Sequence, residues 1–501
     1  MSLSFKKIIK KFFGLWTDSS VLSQQVTRGG FLIIFVRVLI KFIYFIRTLI
    51  LARLLFPGDF GLFALATLTM SLVETFSQTG FNNALIQIKG DIQRYLQIAW
   101  TINFFRNLFL AFVLFFVASP LAGIFFHNPQ VVILSQVLSI VLFLMAFENI
   151  GIVLLQKNLE FHKKFFYDIL VVLFEVLLTI IAAFVLKNVW ALIIGVITGR
   201  LIAVVLSYVF CPFKPRFLFE WKKVKILFAY GKWISLIGII TFLVTKADSI
   251  LIGYLLPLDN LGFYQLAMGL GILPATEIVR SLGALLFPFF AKISSDRLFL
   301  REMFIKVARI IFAFSIPASL GLGILSYQII LNFYGAKWLP MTQILYVIVI
   351  LGLVKAFELI ANPLFLGIGK PKVASTSLIL QALIMLPLMW FLTLKFSAFG
   401  TAIAVLFSSF IAQLYLLFKL RKEINLGFLG FLEIFSLPVS ASIFMLAVIF
   451  MTKSLSHNDS LLALFFYIFI GIISYIIALL FLDKLFGKRF RSSLSLIKKN
   501  L

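Results

Sequence analysis

The chain has 501 residues, of which 62% are hydrophobic and 13% charged, and its mean hydropathy is +1.11. Soluble domains carry about 25% charged residues, so this composition excludes a soluble fold and predicts an all-α integral membrane protein. The single cysteine excludes an internal disulfide bond, and the three histidines lie far apart in the sequence, which disfavours a Cys/His metal site.

Residues 1–27 are basic and amphipathic, and we expect them to lie on the anionic cytoplasmic leaflet. Apolar windows of about 20 residues, the length of a membrane-spanning helix, then predict fourteen transmembrane helices. The windows are 28–52, 60–78, 97–118, 131–155, 166–186, 189–210, 230–255, 261–289, 304–330, 341–364, 374–394, 398–418, 431–452 and 461–482.

Most of the net charge of +26 follows an alternation along the chain. If the N-terminus is cytoplasmic, the inside segments hold 30 Lys and Arg residues and the outside segments hold five. Such a bias is typical of the positive-inside rule. We therefore expect a multi-pass protein of the cytoplasmic (inner) membrane with both termini cytoplasmic, and no nucleic-acid partner.

The helix predicted between Arg28 and Phe56 is unusual because it carries Arg37, Lys41 and Arg47. Each central cation costs about 2.5–3.5 kcal/mol on insertion scales, whereas each large apolar residue returns only about 0.3–0.6 kcal/mol. These cations must therefore face water or protein, and Arg37 and Lys41 share one helix face. Our hypothesis is that the helix lines a cavity that receives an anion. The alternative is that acids from other helices neutralise the three cations.

Ten basic residues fall inside the predicted spans. All except Arg309 are candidate substrate-binding cations, namely Arg37, Lys41, Arg47, Arg106, Arg200, Lys232, Lys246, Arg280 and Lys355. The acids of the spans are either their charge partners or sites for a coupling ion, and the candidates are Glu74, Glu148, Glu175, Asp248, Glu277 and Glu358.

An internal repeat divides the spans into two groups. The sequence Pro57-Gly58-Asp59 recurs as Pro257-Leu258-Asp259, at an offset of 200, although the glycines that follow are out of step by one residue. The repeat predicts two pseudo-symmetric six-helix lobes of the same orientation, as in transporters with parallel repeats. The predicted domains are an N-lobe at 28–210, a linker at 211–229, a C-lobe at 230–418, two further helices at 431–482 and a basic tail at 483–501.

Seven motifs, in this order along the chain, carry a resemblance to a known family. They are LARLLFPGDFGLFALA (51–66), GFNNALIQ (80–87), LLQKNLEF (154–161), KADSILIGYLL (246–256), LLFPFFAKI (285–293), YGAKWLP (334–340) and GIGKPK (367–372). With them the chain resembles the polysaccharide-transport branch of the multidrug/oligosaccharidyl-lipid/polysaccharide exporter superfamily. That branch includes Wzx-type flippases and the exporters of teichuronic and colanic acid.

The resemblance implies a V-shaped pair of lobes around a cationic cavity, similar in plan to the lipid II flippase, which also has two helices beyond twelve. The implied activity is the flipping of an undecaprenyl-pyrophosphate-linked oligosaccharide, such as a repeat unit of O-antigen, capsule or exopolysaccharide, by alternating access. The implied partners are this lipid-linked oligosaccharide, membrane lipid and a polymerase or ligase of the same pathway. No enzymatic activity and no cofactor are expected, and coupling to H⁺ or Na⁺ stays open.

The closest alternative is a multidrug or cation extrusion antiporter of the same superfamily. Cation-extruding relatives often place a carboxylate in the first helix, where this sequence has only bases. A membrane polymerase would be expected to carry a sizeable external loop, and the predicted external connections are short. A channel is disfavoured because the charges are scattered and do not form rings.

Overall fold

The computed structural model describes residues 22–78, 81, 85, 92–211, 213–456 and 458–485, with side chains from Val36 onwards except at 222–237, 240, 278, 281–282, 284–285 and 428. Within these ranges nearly every residue is helical and no strand occurs, so the predicted all-α fold is confirmed. Most of the predicted N-terminal segment 1–27 and of the tail 483–501 lies outside the described residues.

The chain forms two compact units. Unit 1 comprises Met1–Leu54 and Ala66–Phe242, and unit 2 comprises Leu55–Leu65 and Leu243–Leu501. The boundary between them falls inside continuous helices at two of its three crossings, and the short segment Leu55–Leu65 belongs to unit 2. The predicted domain limits, including the linker at 211–229, stay predictions.

Unit 1 is built from the first helices of the chain. They are α1 (Leu22–Leu54), the second part of α2 (Pro57–Phe76), α3 (Ile92–Val113), α4 (Pro129–Ala146), α5 (Phe161–Leu186), α6 (Trp190–Phe210) and the first part of α7 (Trp221–Leu255). After α3 the helical path continues through a π-helical turn to Phe125. The fourth predicted span, 131–155, is interrupted after Ala146 by a turn.

That turn is held by Asn149, which is fully buried. Its side-chain nitrogen donates to the carbonyl oxygen of Phe213 at 2.8 Å, and its side-chain oxygen accepts from the Gly151 N–H at 2.9 Å. An Asn side chain that bonds nearby backbone groups competes with helix formation, so α4 ends here and Glu148 is fixed in the turn.

Unit 2 contains the first part of α2, the second part of α7 and the remaining helices. The remaining helices are α8 (Leu258–Gly271), α9 (Leu273–Lys292), α10 (Arg297–Ile324), α11 (Met341–Gly367), α12 (Pro371–Ile424), α13 (Phe428–Ser456) and α14 (Leu461–Leu485). Buried side chains of α9 to α13 form one apolar core, in which the rings of Phe290, Phe304 and Phe357 follow one another. The last two helices attach to α10, where Arg309 donates to the Glu433 carbonyl at 3.2 Å and Ala313 accepts from Tyr475 at 2.5 Å.

The helix α12 is an antiparallel hairpin and not one straight rod. Its path reverses at Phe396 and Ser397, whose backbone is non-helical, with φ of 53° at Ser397. Residues on its two arms then face each other: the hydroxyls of Thr393 and Thr401 are 2.7 Å apart, and Gln381 donates to Ser409 at 2.9 Å. The two arms correspond to the eleventh and twelfth predicted spans.

In the described part of the chain, ten helices are long and apolar enough to cross a membrane, with α12 counted once. The protein is therefore a multi-pass membrane protein. The helix α1, with its three cations, is not among these ten. The exact number of fourteen transmembrane helices stays a prediction.

The repeated motif packs against its own copy within unit 2. A Cβ atom on Gly61 would lie 2.1 Å from the Leu258 carbonyl oxygen, and one on Gly262 would lie 2.0 Å from the Pro57 carbonyl oxygen. Pro57 and Leu258 are the first residues of α2 and α8, and each glycine is the fifth. The structural repeat thus has an offset of 201, which corrects the predicted 200 and brings the two glycines into step.

Candidate functional site

One face of α1 is polar along about three turns. Because consecutive helical residues are about 100° apart, the side chains of this stripe fall within about 60° of one another. The stripe consists of Arg37, Lys41, Tyr44 and Thr48. Arg37 and Lys41 are exposed, and Tyr44 and Thr48 are half-buried.

A second exposed stripe on α1 is apolar. Val38, Phe42 and Ile46 are 53%, 57% and 40% exposed, and they lie about 130° around the helix from the polar stripe. Lipid tails can solvate this apolar stripe but cannot solvate a guanidinium or an ammonium group. The polar stripe therefore requires an aqueous or anionic environment when α1 is in the membrane.

Arg47 points elsewhere, about 80° around the helix from Arg37. Its Nη1 lies 2.8 Å from Oε1 of Glu175 on α5, and the other oxygen of Glu175 accepts from the Tyr44 hydroxyl at 2.8 Å. The guanidinium also stacks over the Tyr44 ring, 4.7 Å from its centroid. Both charged side chains are less than one-fifth exposed, so this ion pair is internal to unit 1.

Two glycines on α6 make room for the side chains of Glu175 and Thr179 on α5. A Cβ atom on Gly199 would lie 2.7 Å from the Glu175 Cγ atom, and one on Gly195 would lie 1.9 Å from the Thr179 hydroxyl oxygen. The spacing of Gly195 and Gly199 is the small-residue pattern that lets membrane helices approach closely. This GxxxG spacing is visible in the sequence and predicts a closely packed α6, but the facing residue Glu175 is known only from the structure.

A second Arg–Glu–Tyr group repeats this chemistry in unit 1. Arg200 on α6 donates to Glu148 at 2.9 Å, and the Tyr167 hydroxyl on α5 donates to the other Glu148 oxygen at 3.3 Å. Glu148 belongs to the turn that Asn149 fixes, so its position depends on that turn. The positive charge of Arg200 is balanced within the unit.

Arg106 on α3 donates hydrogen bonds to the C-terminal end of α2. Its Nε donates to the Ser77 carbonyl at 2.7 Å, and its Nη2 donates to the Ser77 hydroxyl at 2.8 Å and to the Glu74 carbonyl at 3.1 Å. The last carbonyls of a helix carry partial negative charge and lack helical partners, so a guanidinium stabilises them. Glu74 itself is half-buried.

In unit 2, Asp248 is the most enclosed candidate acid, with 7% of its surface exposed. Its oxygens accept from the Ser249 N–H at 2.6 Å and from the Tyr264 hydroxyl at 2.8 Å. Lys246 is half-buried on the same helix. The side chain of Lys232 lies outside the described residues.

Of the two other predicted ion pairs of unit 2, both between described side chains, one forms in the structure and one does not. Arg280 and Glu277 form an ion pair at 3.5 Å, with Arg280 about half exposed. Lys355 and Glu358 form no ion pair with the charged side chains that the structure describes; Glu358 accepts instead from Asn362 at 3.5 Å.

The candidate cations of unit 1 differ in the partners of their side chains. Arg47 and Arg200 each have a carboxylate, and Arg106 has helix-end carbonyls. Arg37 is exposed and forms no ion pair with any described side chain, and Lys41 lies beside it on the exposed stripe. Whether each residue contacts substrate stays a prediction.

The sequence profile of a family described as "Polysaccharide biosynthesis protein" matches residues 50–343, more than half of the chain. The chain belongs to this family. Two relatives support the assignment. One, from Klebsiella pneumoniae, is named "Uncharacterized membrane protein in cps region" and is 26% identical over 76% of this chain and 79% of its own length. The other, from Escherichia coli, is named "Lipopolysaccharide biosynthesis protein WzxC" and is 26% identical over 64% of each chain, less than two thirds.

Solved structures share the fold. The chain is similar to "Lipid II flippase MurJ, inward closed conformation", with a TM-score of 0.70, 18% identity and coverage of 89% of this chain and 99% of that one. It is also similar to an inward-facing MATE multidrug resistance transporter of the MOP superfamily, with a TM-score of 0.58, 15% identity and coverage of 78% and 98%. These structures show the fold, and the match of the family profile confirms the predicted resemblance to polysaccharide-transport proteins.

Proposed function

We propose that this member of the family flips a lipid-linked oligosaccharide, a polyprenyl pyrophosphate that carries a polysaccharide repeat unit, across the cytoplasmic membrane. The observation that carries the proposal is the exposed cationic stripe on α1, in which Arg37 has no carboxylate partner among the described residues. The family and its relatives belong to polysaccharide biosynthesis, and the fold is that of transporters, so the protein is a transporter and not an enzyme.

The chemistry of the substrate explains the need for these cations. A pyrophosphate carries about two negative charges, and moving an unaccompanied charge into hydrocarbon costs at least several kcal/mol. Arg37 and Lys41 supply fixed positive charges and donors that replace the lost hydration. The forked guanidinium of Arg37 can donate to two phosphate oxygens at once, whereas Lys41 acts as a point charge.

The arrangement of α1 also argues against extrusion of cationic drugs. A cationic substrate would be repelled by Arg37 and Lys41, and the acids Glu148 and Glu175 of unit 1 are already paired with arginines. In unit 2 the enclosed Asp248 has no arginine or lysine at ion-pair distance among the described side chains, and we propose it as a candidate site for H⁺ or Na⁺ coupling. Docking to a polymerase or ligase of the pathway stays part of the proposal.

Transport into vesicles provides the test. We expect the purified protein, reconstituted with lipid-linked oligosaccharide, to expose the glycan to an impermeant lectin on the opposite side, while a cationic dye in parallel vesicles is not moved. Dye transport without glycan exposure would overturn the proposal in favour of the multidrug alternative.

The orientation is part of the proposal and has its own test. In a Cys211→Ala background, Gln130→Cys and Ser456→Cys should react with an impermeant maleimide in intact cells, and Arg216→Cys and Lys372→Cys should react only after lysis. All four side chains are exposed or lie in exposed loops, so accessibility alone does not separate them. Labelling of Arg216→Cys in intact cells would contradict cytoplasmic termini.

A further inference from the structure

Unit 1 carries an apolar groove that the site on α1 does not include. Its volume is about 800 Å³, and it lies between α3 and the connection from α6 to α7. Phe105, Arg106 and Phe109 line it from α3, and Phe217 and Phe219 line it from the connection.

The wall of this groove is held in place. Residues 213–220 are not helical, and the Leu218 N–H donates to the Thr101 hydroxyl on α3 at 3.0 Å. The Phe217 ring also contacts Trp100 and Phe105, with ring centroids 5.1 and 5.8 Å apart. The connection is therefore a fixed surface against α3.

The lining rings remain exposed. Phe105 and Phe109 are 59% and 64% exposed, and Phe217 and Phe219 are both 62% exposed. Phe112 and Phe116 continue the exposed stripe along the same path. From Phe105 to Phe116 the path rises roughly 16 Å, about half of the 30 Å hydrocarbon core and hence the depth of one leaflet.

Positive charge borders the groove. Exposed Lys214 and Arg216 immediately precede Phe217. Arg106 uses four of its five N–H groups in bonds to Glu74, Ser77 and Asn107, and one N–H of Nη1 remains. An apolar path with a basic rim matches a long-chain lipid that has a phosphate head. The basic N-terminal segment of this chain would be repelled by the same rim.

We propose that this groove is a loading site for the lipid carrier of the substrate, before the phosphates reach the stripe on α1. The isoprenoid chain lies against Phe105, Phe109, Phe217 and Phe219, and the phosphate lies beside Lys214 and Arg216. This assignment rests on the proposed function, because it takes the substrate to be carried on a polyprenyl pyrophosphate, for which polyprenyl phosphate serves as the probe.

The test uses the full-length protein in nanodiscs and a polyprenyl phosphate with a photoreactive group in its chain. We expect labelled peptides from α3 and from residues 213–220, and competition by unlabelled polyprenyl phosphate but not by phosphatidylglycerol. Phe109→Ser should reduce labelling about tenfold, since a buried Phe contributes one or more powers of ten to affinity. Lys214→Gln combined with Arg216→Gln should reduce it about fivefold or more.

Matched controls are Phe174→Ser, which removes an exposed ring from α5, and Lys372→Gln, which removes an exposed cation from unit 2. Neither should change labelling. Equal competition by phosphatidylglycerol, or labels spread over other helices, would show a surface for bulk lipid and overturn the loading site.

Glycan flipping by the wild-type protein is measured separately. Flipping together with unspecific labelling would overturn only the loading site. Specific labelling without flipping would overturn the proposed function and leave a carrier-binding groove.

Discussion

Replacement of Arg37 by Gln is expected to reduce glycan flipping roughly 10- to 100-fold, the loss that corresponds to a charge-assisted hydrogen bond of about 1.5–3 kcal/mol. The folded yield should not change, because Arg37 is exposed and has no ion-pair partner in the described part of the chain. Lys41→Gln should also reduce flipping, because it removes the second positive charge of the stripe. Arg37→Lys should be only partly active, because a point charge replaces a planar fork.

The measurement pairs the fraction of monodisperse protein in detergent with lectin-detected flipping in vesicles. Lys395→Gln is the matched control, since it removes an exposed cation from the hairpin of α12. Full flipping by the Arg37→Gln and Lys41→Gln double variant would contradict a role of the α1 stripe in binding the pyrophosphate.

Replacement of Arg47 by Gln is expected to act on folding instead. Glu175 would keep only the Tyr44 hydroxyl, and an uncompensated carboxylate in a largely enclosed site costs about 3–5 kcal/mol. We expect a lower folded yield and a lower unfolding temperature in detergent. Glu175→Gln should have a similar effect because it leaves the Arg47 guanidinium without a carboxylate partner. The double variant Arg47→Gln with Glu175→Gln should recover most of the lost folded yield and unfolding temperature.

Arg280→Gln is the control for this prediction. Its ion pair with Glu277 is about half exposed, so its loss should cost less than about 1 kcal/mol. An Arg47→Gln protein that folds normally but does not flip glycan would place Arg47 among the groups that contact substrate.

The sequence predicted which cations of α1 share a helix face, but it did not predict which acid pairs with Arg47. The positions of Arg37 and Lys41 on one helix face follow from the helical period, and the structure places both side chains on the exposed polar stripe. The partner of Arg47 could not be chosen among Glu74, Glu148 and Glu175, because a contact across 128 residues depends on how helices pack. The GxxxG spacing on α6 predicts that a helix packs closely against it but does not identify which acid it faces.

Other features were outside the reach of periodicity. Apolar windows do predict the two arms of α12, because the windows 374–394 and 398–418 end and begin beside the reversal, but they do not report the positive φ of Ser397 that makes the turn. Nor does hydropathy report that Asn149 ends α4 by binding the Phe213 backbone, since that bond requires a segment 64 residues later in the chain. The groove beside α3 depends on the same late segment.

The reciprocal glycine contacts have a consequence for the order of synthesis. The segment Leu55–Leu65 emerges early, yet Leu258, whose carbonyl oxygen Gly61 faces, lies 197 residues after Gly61 in the chain. At about 5–20 residues per second, a ribosome needs roughly 10–40 s to reach that partner. During this interval the residues of unit 1 up to Phe242 are synthesised. The beginning of α2 still lacks the Leu258 backbone against which Gly61 packs in the folded protein. Unit 2 can therefore be completed only after the middle of the chain has been translated, so its assembly joins the first and second halves of the nascent protein.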